Sequence, residues 1–335
     1  MKAALWYGPE KGLIIGEKEK PKPGNNQVLV RVKCSSLCHS DLSLFSGQQP
    51  PESLPVVPGH EATGYVESVG SNVTNVKVGD AVGFLLYTGY CGSCAGCEAT
   101  PLACPSNRVQ GFTADGYFAE YVVTDSRATI KLPDGMDIVA AAPLFCAGLT
   151  AFHGIDKCNL NPGEYVGIVG VGGLGHLAVQ YAVKMGLKPV AFDVDDSRLL
   201  HARSLGAVAT FNVKDPELRE KVQAETGGGV HAACVFSGAM SAYSSAQQTL
   251  RFGGLLMVVG LPNGTMPITA MSLAMGLMRV QGASSGLPKE MERAIAFSHK
   301  HNIFPKIEQH KLEDLPKLVE RLEKGQFEGR MVVVF

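Results

Sequence analysis

Four consecutive residues, Cys38-His39-Ser40-Asp41, offer a thiolate, an imidazole, a hydroxyl and a carboxylate. Alone, such a run is compatible with a solvated turn. Two further candidates follow in the chain, at Gly59-His60-Glu61 and at Cys146. Thiolate, imidazole and carboxylate are ligand types that suit zinc. Spacing alone leaves two readings of Cys38, His60 and Cys146 open. They are a dispersed ligand set, or they are buried cysteines and a hydrogen-bonded core histidine. Cys34, Cys158 and Cys234 read as small core hydrophobes, and His153, His176, His201 and His231 as hydrogen-bonded core residues.

A second constellation is compact. Cys91, Cys94 and Cys97 with Cys104 form C-x2-C-x2-C-x6-C. Four thiolates so close in sequence can build a tetrahedral sulfur shell, which in a reducing compartment points to structural zinc. An iron–sulfur cluster is the rival, but the spacing differs from the x2-x2-x3 ferredoxin run and no second cysteine set accompanies it.

The third constellation is Gly170-x-Gly172-Gly173-Leu174-Gly175. It follows an apolar run and opens a helical pattern, the context a dinucleotide fingerprint requires. Glycines there permit a tight turn and close approach of the backbone to a pyrophosphate, which the helix N-terminus stabilises. Asp193 stands at the end of the next strand, where a carboxylate accepts from ribose hydroxyls and repels a 2′-phosphate, so NAD is expected over NADP. The alternative is a glycine turn beside a surface aspartate.

These groups need elements to position them. At 335 residues the chain exceeds the roughly 250–300 at which one core stops growing, so two domains are expected. It is 45% hydrophobic and 18% charged with a formal net charge of −1, which recruits neither nucleic acid nor an anionic membrane. No segment approaches the ~18–20 apolar residues of a span and the N-terminus has no signal-peptide pattern. The expected location is therefore the cytoplasm, where the nine cysteines serve as ligands or core residues instead of disulfides.

Period-2 alternation over 27–33, and short apolar runs at 62–69, 81–84 and 117–123, are separated by proline and glycine clusters. They predict an antiparallel, barrel-like first domain. After about residue 145 the rhythm changes. Strands at 165–169, 189–192, 207–211, 232–236 and 255–259 alternate with helices at 176–185, 197–205, 217–225 and 242–250, the pattern of a parallel α/β sheet. The last ~50 residues carry helices at 289–299 and 314–323 and a strand at 331–335, and pattern alone assigns them to either domain.

Taken together, Cys38-His39-Ser40-Asp41, Gly59-His60-Glu61, the four-cysteine lobe, Ala142-Pro143-Leu144-Phe145-Cys146-Ala147-Gly148-Leu149-Thr150 and the glycine loop resemble the zinc-dependent medium-chain alcohol dehydrogenases, most of all the yeast and bacterial tetrameric branch. The resemblance spans essentially the whole chain. It implies a GroES-like antiparallel β catalytic domain from residues 1–147 and 284–335, with a doubly wound Rossmann domain, residues 148–283, inserted. It further implies NAD, two zincs per chain, a small alcohol or aldehyde substrate, and a homo-oligomer, a tetramer more than a dimer.

By the same resemblance, Cys38, His60 and Cys146 bind the catalytic zinc and Glu61 can transiently replace a ligand. Asp41 orients His60, Ser40 takes the alcohol proton and passes it to the nicotinamide ribose, and His39 contacts the pyrophosphate. Thr150, Gly260 and Leu261 lie near the nicotinamide. Ser237 also contacts the cofactor, Arg198 reaches the adenosine ribose and Arg330 the pyrophosphate. Cys91, Cys94, Cys97 and Cys104 hold the structural zinc.

Two departures stand out. The fourth lobe cysteine comes one residue early relative to the usual x7, and Ser43 occupies the position where the proton relay often ends on histidine. Gln49 and Leu86 stand where yeast-type enzymes carry tryptophans, which implies a pocket for alcohols larger than ethanol. Secondary-alcohol and cinnamyl-type reductases on the same scaffold are the alternatives, and a non-catalytic NAD-binding protein is the remote one. Polyol enzymes usually carry Glu where Cys146 stands, cinnamyl types usually lack Asp193, and zinc-free quinone reductases lack the ligand set.

Overall fold

The computed structural model describes residues 1–284 and 286–335. Ser285, which falls in the expected C-terminal part of the catalytic domain, lies outside the described residues. The chain divides into two compact units, Met1–Cys146 with Leu287–Phe335, and Ala147–Gly286.

The first unit is built on the ten-residue strand Gln27–Ser36, whose alternating valines bury one face. Glu61–Val69 pairs with it antiparallel along one edge. Its other edge is shared. Tyr121–Asp125 covers Gln27 to Arg31, and the C-terminal strand Arg330–Val334 covers Cys34 to Ser36, both antiparallel. Ala81–Phe84 and Thr129–Lys131 extend the sheet beyond Glu61–Val69, and Ile307–His310 pairs parallel with Arg330–Val334. The final segment is therefore a structural part of this unit. Helix Leu315–Glu323 backs it by burying Leu315, Leu318 and Leu322, an i, i+3, i+7 stripe whose members contribute about 1.5–3 kcal/mol each on burial.

One strand lies later than the alternation suggests. The pattern at 117–123 predicts a strand from Tyr117, but the ladder runs Tyr121–Asp125. The amides of Tyr117 and Phe118 bond to the carbonyls of Pro58 and Gly59, so this stretch follows the loop that delivers His60 before it joins the sheet.

The second unit is a six-stranded, all-parallel sheet. Its spatial order is Ala209–Asn212, Lys188–Asp193, Tyr165–Val169, Val230–Val235, Leu250–Val258, Met278–Gly282, or 3-2-1-4-5-6 in chain order. That order is the doubly wound one, and it reverses beside Tyr165–Val169, the strand that ends in the glycine loop. The five predicted strands and four predicted helices of this unit are present within a few residues of their expected bounds, Leu250–Val258 starting furthest from expectation. Local chemistry explains several ends. Asp195 caps helix Asp196–Ser204 by accepting from the Ser197 amide, and Gly227 closes Leu218–Thr226 in the left-handed region at φ 68°, as such caps do. Met278–Gly282 gave no apolar signal because it is an edge strand with most of its residues exposed.

No single helix among the described residues is long and apolar enough to cross a membrane. The apolar helix Ala147–Asp156 is a core element, with residues 147–155 all buried.

Candidate active site and metal centres

The strand Gln27–Ser36 runs directly into Leu37 and Cys38, and Cys38 precedes a single 3₁₀ turn, His39–Asp41. That turn closes because the Cys38 amide donates to Asp41 Oδ2 at 2.9 Å. The second oxygen, Oδ1, lies 2.7 Å from His60 Nδ1. Asp41 is fully buried and His60 is 2% exposed. His60 and Glu61 arrive from the loop that opens Glu61–Val69, whose first residue pairs with Ser36. Cys146 terminates the 3₁₀ helix Ala142–Phe145. The ligand atoms of Cys38, His60, Glu61 and Cys146 all lie within 4.8 Å of one another.

The electrostatics of this cluster match a cation site. The hydrogen bond with Cys146 holds the Cys38 thiol well below its ordinary value against the cost of burial, helped by His60 and Arg330. The same contact, with burial, holds Cys146 well above its ordinary value. Burial disfavours the His60 imidazolium, yet Asp41 and Cys38 outweigh it and raise the group. Thiolates and an imidazole gathered this closely are a donor set that suits zinc. With His60 Nδ1 committed to Asp41, the other ring nitrogen is the one left for a metal.

Glu61 has a partner of its own. Arg330, 4% exposed, pairs with the Glu61 carboxylate and donates from Nη2 to Ser36 Oγ at 3.1 Å. Burial pushes the Glu61 carboxyl up to about 7, and Arg330 pulls it down. The register explains the meeting. Val332 pairs with Ser36, and Ser36 pairs with Glu61 on its other side, so Arg330 arrives beside both.

The lobe cysteines also converge. All four sulfurs lie within 4.8 Å of one another, with Cys91 3.8 Å from Cys97 and 3.7 Å from Cys104. Zinc–sulfur bonds of about 2.3 Å place the corners of a tetrahedron about 3.8 Å apart, so the spacing fits. Backbone amides of Cys91, Gly92 and Cys97 point at Cys104, Cys97 and Cys94 sulfurs at 3.3–3.4 Å. The Ser106 hydroxyl and the Cys91 amide bring the Cys104 thiol down to about 5. The short helix Ala95–Ala99 and the 3₁₀ turn Pro101–Ala103 take up the six-residue gap, so the shortened loop still delivers its cysteine.

In the second unit the glycine loop joins Tyr165–Val169 to helix Gly175–Lys184. Gly170 has φ +91°, and a Cβ on Gly175 would stand 1.9 Å from the Gly170 carbonyl oxygen, so neither position admits a side chain. Nothing lies within 4 Å of where a Gly172 Cβ would be, leaving the open backbone a pyrophosphate needs. Asp193 is 6% exposed; its Oδ2 accepts from the Val171 amide at 2.7 Å, and its Oδ1 from Val194 and Asp195 at 2.8 and 3.1 Å.

Residues 24–134 match the family described as alcohol dehydrogenase GroES-like domain, and residues 173–300 match zinc-binding dehydrogenase. An alcohol dehydrogenase of Geobacillus stearothermophilus is 38% identical over 335 residues, covering 99% of both chains. One from Moraxella sp. (strain TAE123) is 35% identical with the same coverage. The solved alcohol dehydrogenase of the archaeon Aeropyrum pernix superposes with a TM-score of 0.90 at 32% identity, covering 100% of each chain. The chain belongs to the zinc-containing medium-chain alcohol dehydrogenases. Its activity is that of an alcohol dehydrogenase, and this family is itself a standard example of a Cys2His catalytic zinc.

In this dehydrogenase the other expected residues fall as follows. His39 and Ser40 are exposed on the 3₁₀ turn, and Ser43 donates to the Ser40 carbonyl at 2.7 Å. Thr150 is buried in helix Ala147–Asp156. Ser237 packs against Gly170, and a Cβ on Gly260 would strike the Ser237 carbonyl at 2.2 Å, so these three are neighbours. Leu261 beyond them is 86% exposed. Arg198 lies 4.0 Å from Asp195 Oδ2. Gln49 is exposed and Leu86 is buried. Two contacts at the candidate site involve residues that no motif marks. Ser36 accepts from Arg330, and Phe112 tilts against the His60 ring with centroids 5.3 Å apart. Phe112 sits in a loop with no periodicity, so only the fold reveals it.

Proposed function

We propose that the enzyme moves hydride reversibly between NAD and a primary alcohol larger than ethanol, with zinc at both cysteine-containing sites. The Cys38–His60–Cys146 set, with Cys38 and His60 buried, Cys146 half-buried and His60 oriented through Asp41, carries this reading. Bound there, zinc supplies Lewis-acid polarisation of the alcohol or carbonyl oxygen.

The protein's own residues supply the remainder. Asp41 fixes the His60 tautomer and the Cys38 backbone together. Ser40, exposed one turn away from the buried ligands, accepts the substrate hydroxyl proton and passes its own toward the nicotinamide ribose. Ser43 is no base near neutral pH, so the proton leaves through water. Glu61 is the alternative ligand, steadied by Arg330. Arg330 Nε has no hydrogen-bond partner among the described residues, which supports a phosphate oxygen as its acceptor, with His39 as a second phosphate contact. NAD over NADP is supported by Asp193, whose carboxylate would face a 2′-phosphate as a like charge. Thr150, Ser237, Gly260 and Leu261 line the nicotinamide, and Arg198 the adenosine ribose. Gln49 and Leu86, in place of tryptophans, support the larger alcohol.

A homo-oligomer is supported by the edge strand Met278–Gly282, which has one unpaired side among the described residues, and by the exposed Met271, Leu273, Met275, Leu277 and Val280 around it. Such an edge is a template for pairing and such a patch marks an interaction surface. A cytoplasmic location is supported by six candidate ligand cysteines that must stay reduced to bind metal.

Metal analysis with NAD and NADP reduction across a panel of alcohols tests the proposal. Two zincs per chain and NAD-linked turnover that improves beyond ethanol are expected. Fewer than two zincs, a preference for NADP, or a preference for ethanol would each overturn the corresponding part.

A further inference from the structure

Two cysteines outside both ligand sets face each other inside the second unit. Cys158 follows helix Ala147–Asp156, and Cys234 lies within the strand Val230–Val235. They are 4% and 0% exposed, and their sulfurs are 3.3 Å apart. Both thiols reach the same acceptor, the Gly154 carbonyl oxygen, at 3.1 and 3.3 Å. Two S–H groups and three contacts leave one thiol to donate to the carbonyl while the other can donate to sulfur.

The pair is not symmetric. Cys158 lies in the wall of a cavity of about 310 Å³ that Asn161, His231, Arg251, Phe252 and Arg279 also line. Phe252 is 82% exposed, so this cavity reaches the surface. Cys234 is not among its lining residues. The cavity is at the amino ends of the parallel strands: His231 is second in Val230–Val235, Arg251 second in Leu250–Val258 and Arg279 second in Met278–Gly282. The glycine loop is at the opposite, carboxyl ends, so an oxidant entering here does not pass the dinucleotide loop.

We propose that Cys158 and Cys234 form a reversible disulfide when a small peroxide enters this cavity. Cys158, as thiolate, attacks the peroxide oxygen; the O–O bond breaks, hydroxide leaves, and Cys158 becomes a sulfenic acid. The Cys234 sulfur then attacks the Cys158 sulfur. The S–O bond breaks as the S–S bond forms, and the Cys234 proton leaves with the hydroxyl as water. The sum is two thiols and hydrogen peroxide giving one disulfide and two waters. From 3.3 Å the sulfurs need to close by about 1.3 Å to reach disulfide length.

The direction of attack has a second support. The hydrogen bond with Cys158, together with burial, holds the Cys234 thiol well above its ordinary value. That makes Cys234 the poorer nucleophile, in keeping with first attack from the residue that lines the cavity. The product ties the chain just after helix Ala147–Asp156 to the middle of the sheet, and closing so long a loop restricts the unfolded chain.

The test is peptide mapping of the zinc-loaded enzyme after hydrogen peroxide, under non-reducing conditions, with a short cysteine peptide added as dosimeter. A Cys158–Cys234 crosslinked peptide that disappears on dithiothreitol treatment is expected, with a raised melting temperature. In C234S, or in C234A should the serine not fold, Cys158 is expected as a sulfenic acid trapped by dimedone. In C158S, Cys234 is expected as a free thiol. Recovery of both cysteines as thiols after the added peptide is fully oxidised would overturn the proposal. So would oxidation of Cys234 in C158S as fast as in the native enzyme, because Cys158 would then not be the entry point.

Discussion

Asp41 holds two candidate zinc-ligand residues with one carboxylate, bonding His60 Nδ1 at 2.7 Å and the Cys38 amide at 2.9 Å. Replacing it by asparagine keeps the size and an acceptor oxygen but removes the charge. Partners of this kind typically change metal affinity about 10–100-fold. Asp41→Asn is therefore expected to lose catalytic zinc at about tenfold or more lower chelator concentration, while the four-cysteine zinc stays bound. Equal chelator sensitivity in both proteins would refute the orienting role.

Glu61 and Arg330 are a buried pair, 0% and 4% exposed. Removing one partner strands the other charge, at a cost of about 3–5 kcal/mol. Glu61→Ala should shift the urea midpoint of the first unit strongly downward, and Glu61→Gln less, since the amide oxygen still accepts from Arg330. An alanine variant as stable as the glutamine variant would show the charge to be immaterial there.

Asp193 accepts from three backbone amides, and we propose that it also accepts from the ribose hydroxyls. Asp193→Ser keeps one acceptor and removes the negative charge. Hydrogen bonds to charged groups contribute about 1.5–3 kcal/mol, so the NAD-over-NADP ratio of kcat/KM should fall roughly tenfold or more. A lower melting temperature should accompany it, because the Val171 amide loses its carboxylate. An unchanged cofactor ratio would remove Asp193 from the specificity argument.

Ser40→Ala should lower kcat for alcohol oxidation by about 10² with zinc content unchanged. Native activity in that variant would eliminate the proton path through Ser40. Ser43 is tied to the Ser40 carbonyl and contributes no titrating group, so the native pH–rate profile should carry no histidine step from this position. Ser43→His should add one near the ordinary histidine value of about 6.5, and an identical profile would contradict the relay's route.

The sequence by itself determined the local motifs and the layers. Cysteines at C-x2-C-x2-C-x6-C, a glycine loop between an apolar run and a helix, and the change from period 2 to alternating strands and helices are local signals, because each arises from residues near one another in the chain. They located the lobe, the loop and the two sheet types. The strand Met278–Gly282 carries no such signal because an exposed edge needs no apolar face, and alternation places Tyr117 in a strand because it cannot show where a backbone bonds to a distant loop. Cys38, His60 and Cys146 were undecided by spacing, since ligands separated by tens of residues meet only through sheet register. The tertiary structure alone decided that Arg330 sits on Glu61, that Phe112 packs on His60, and that Cys158 faces Cys234. Each is a contact between segments far apart in sequence, and no local periodicity encodes that distance.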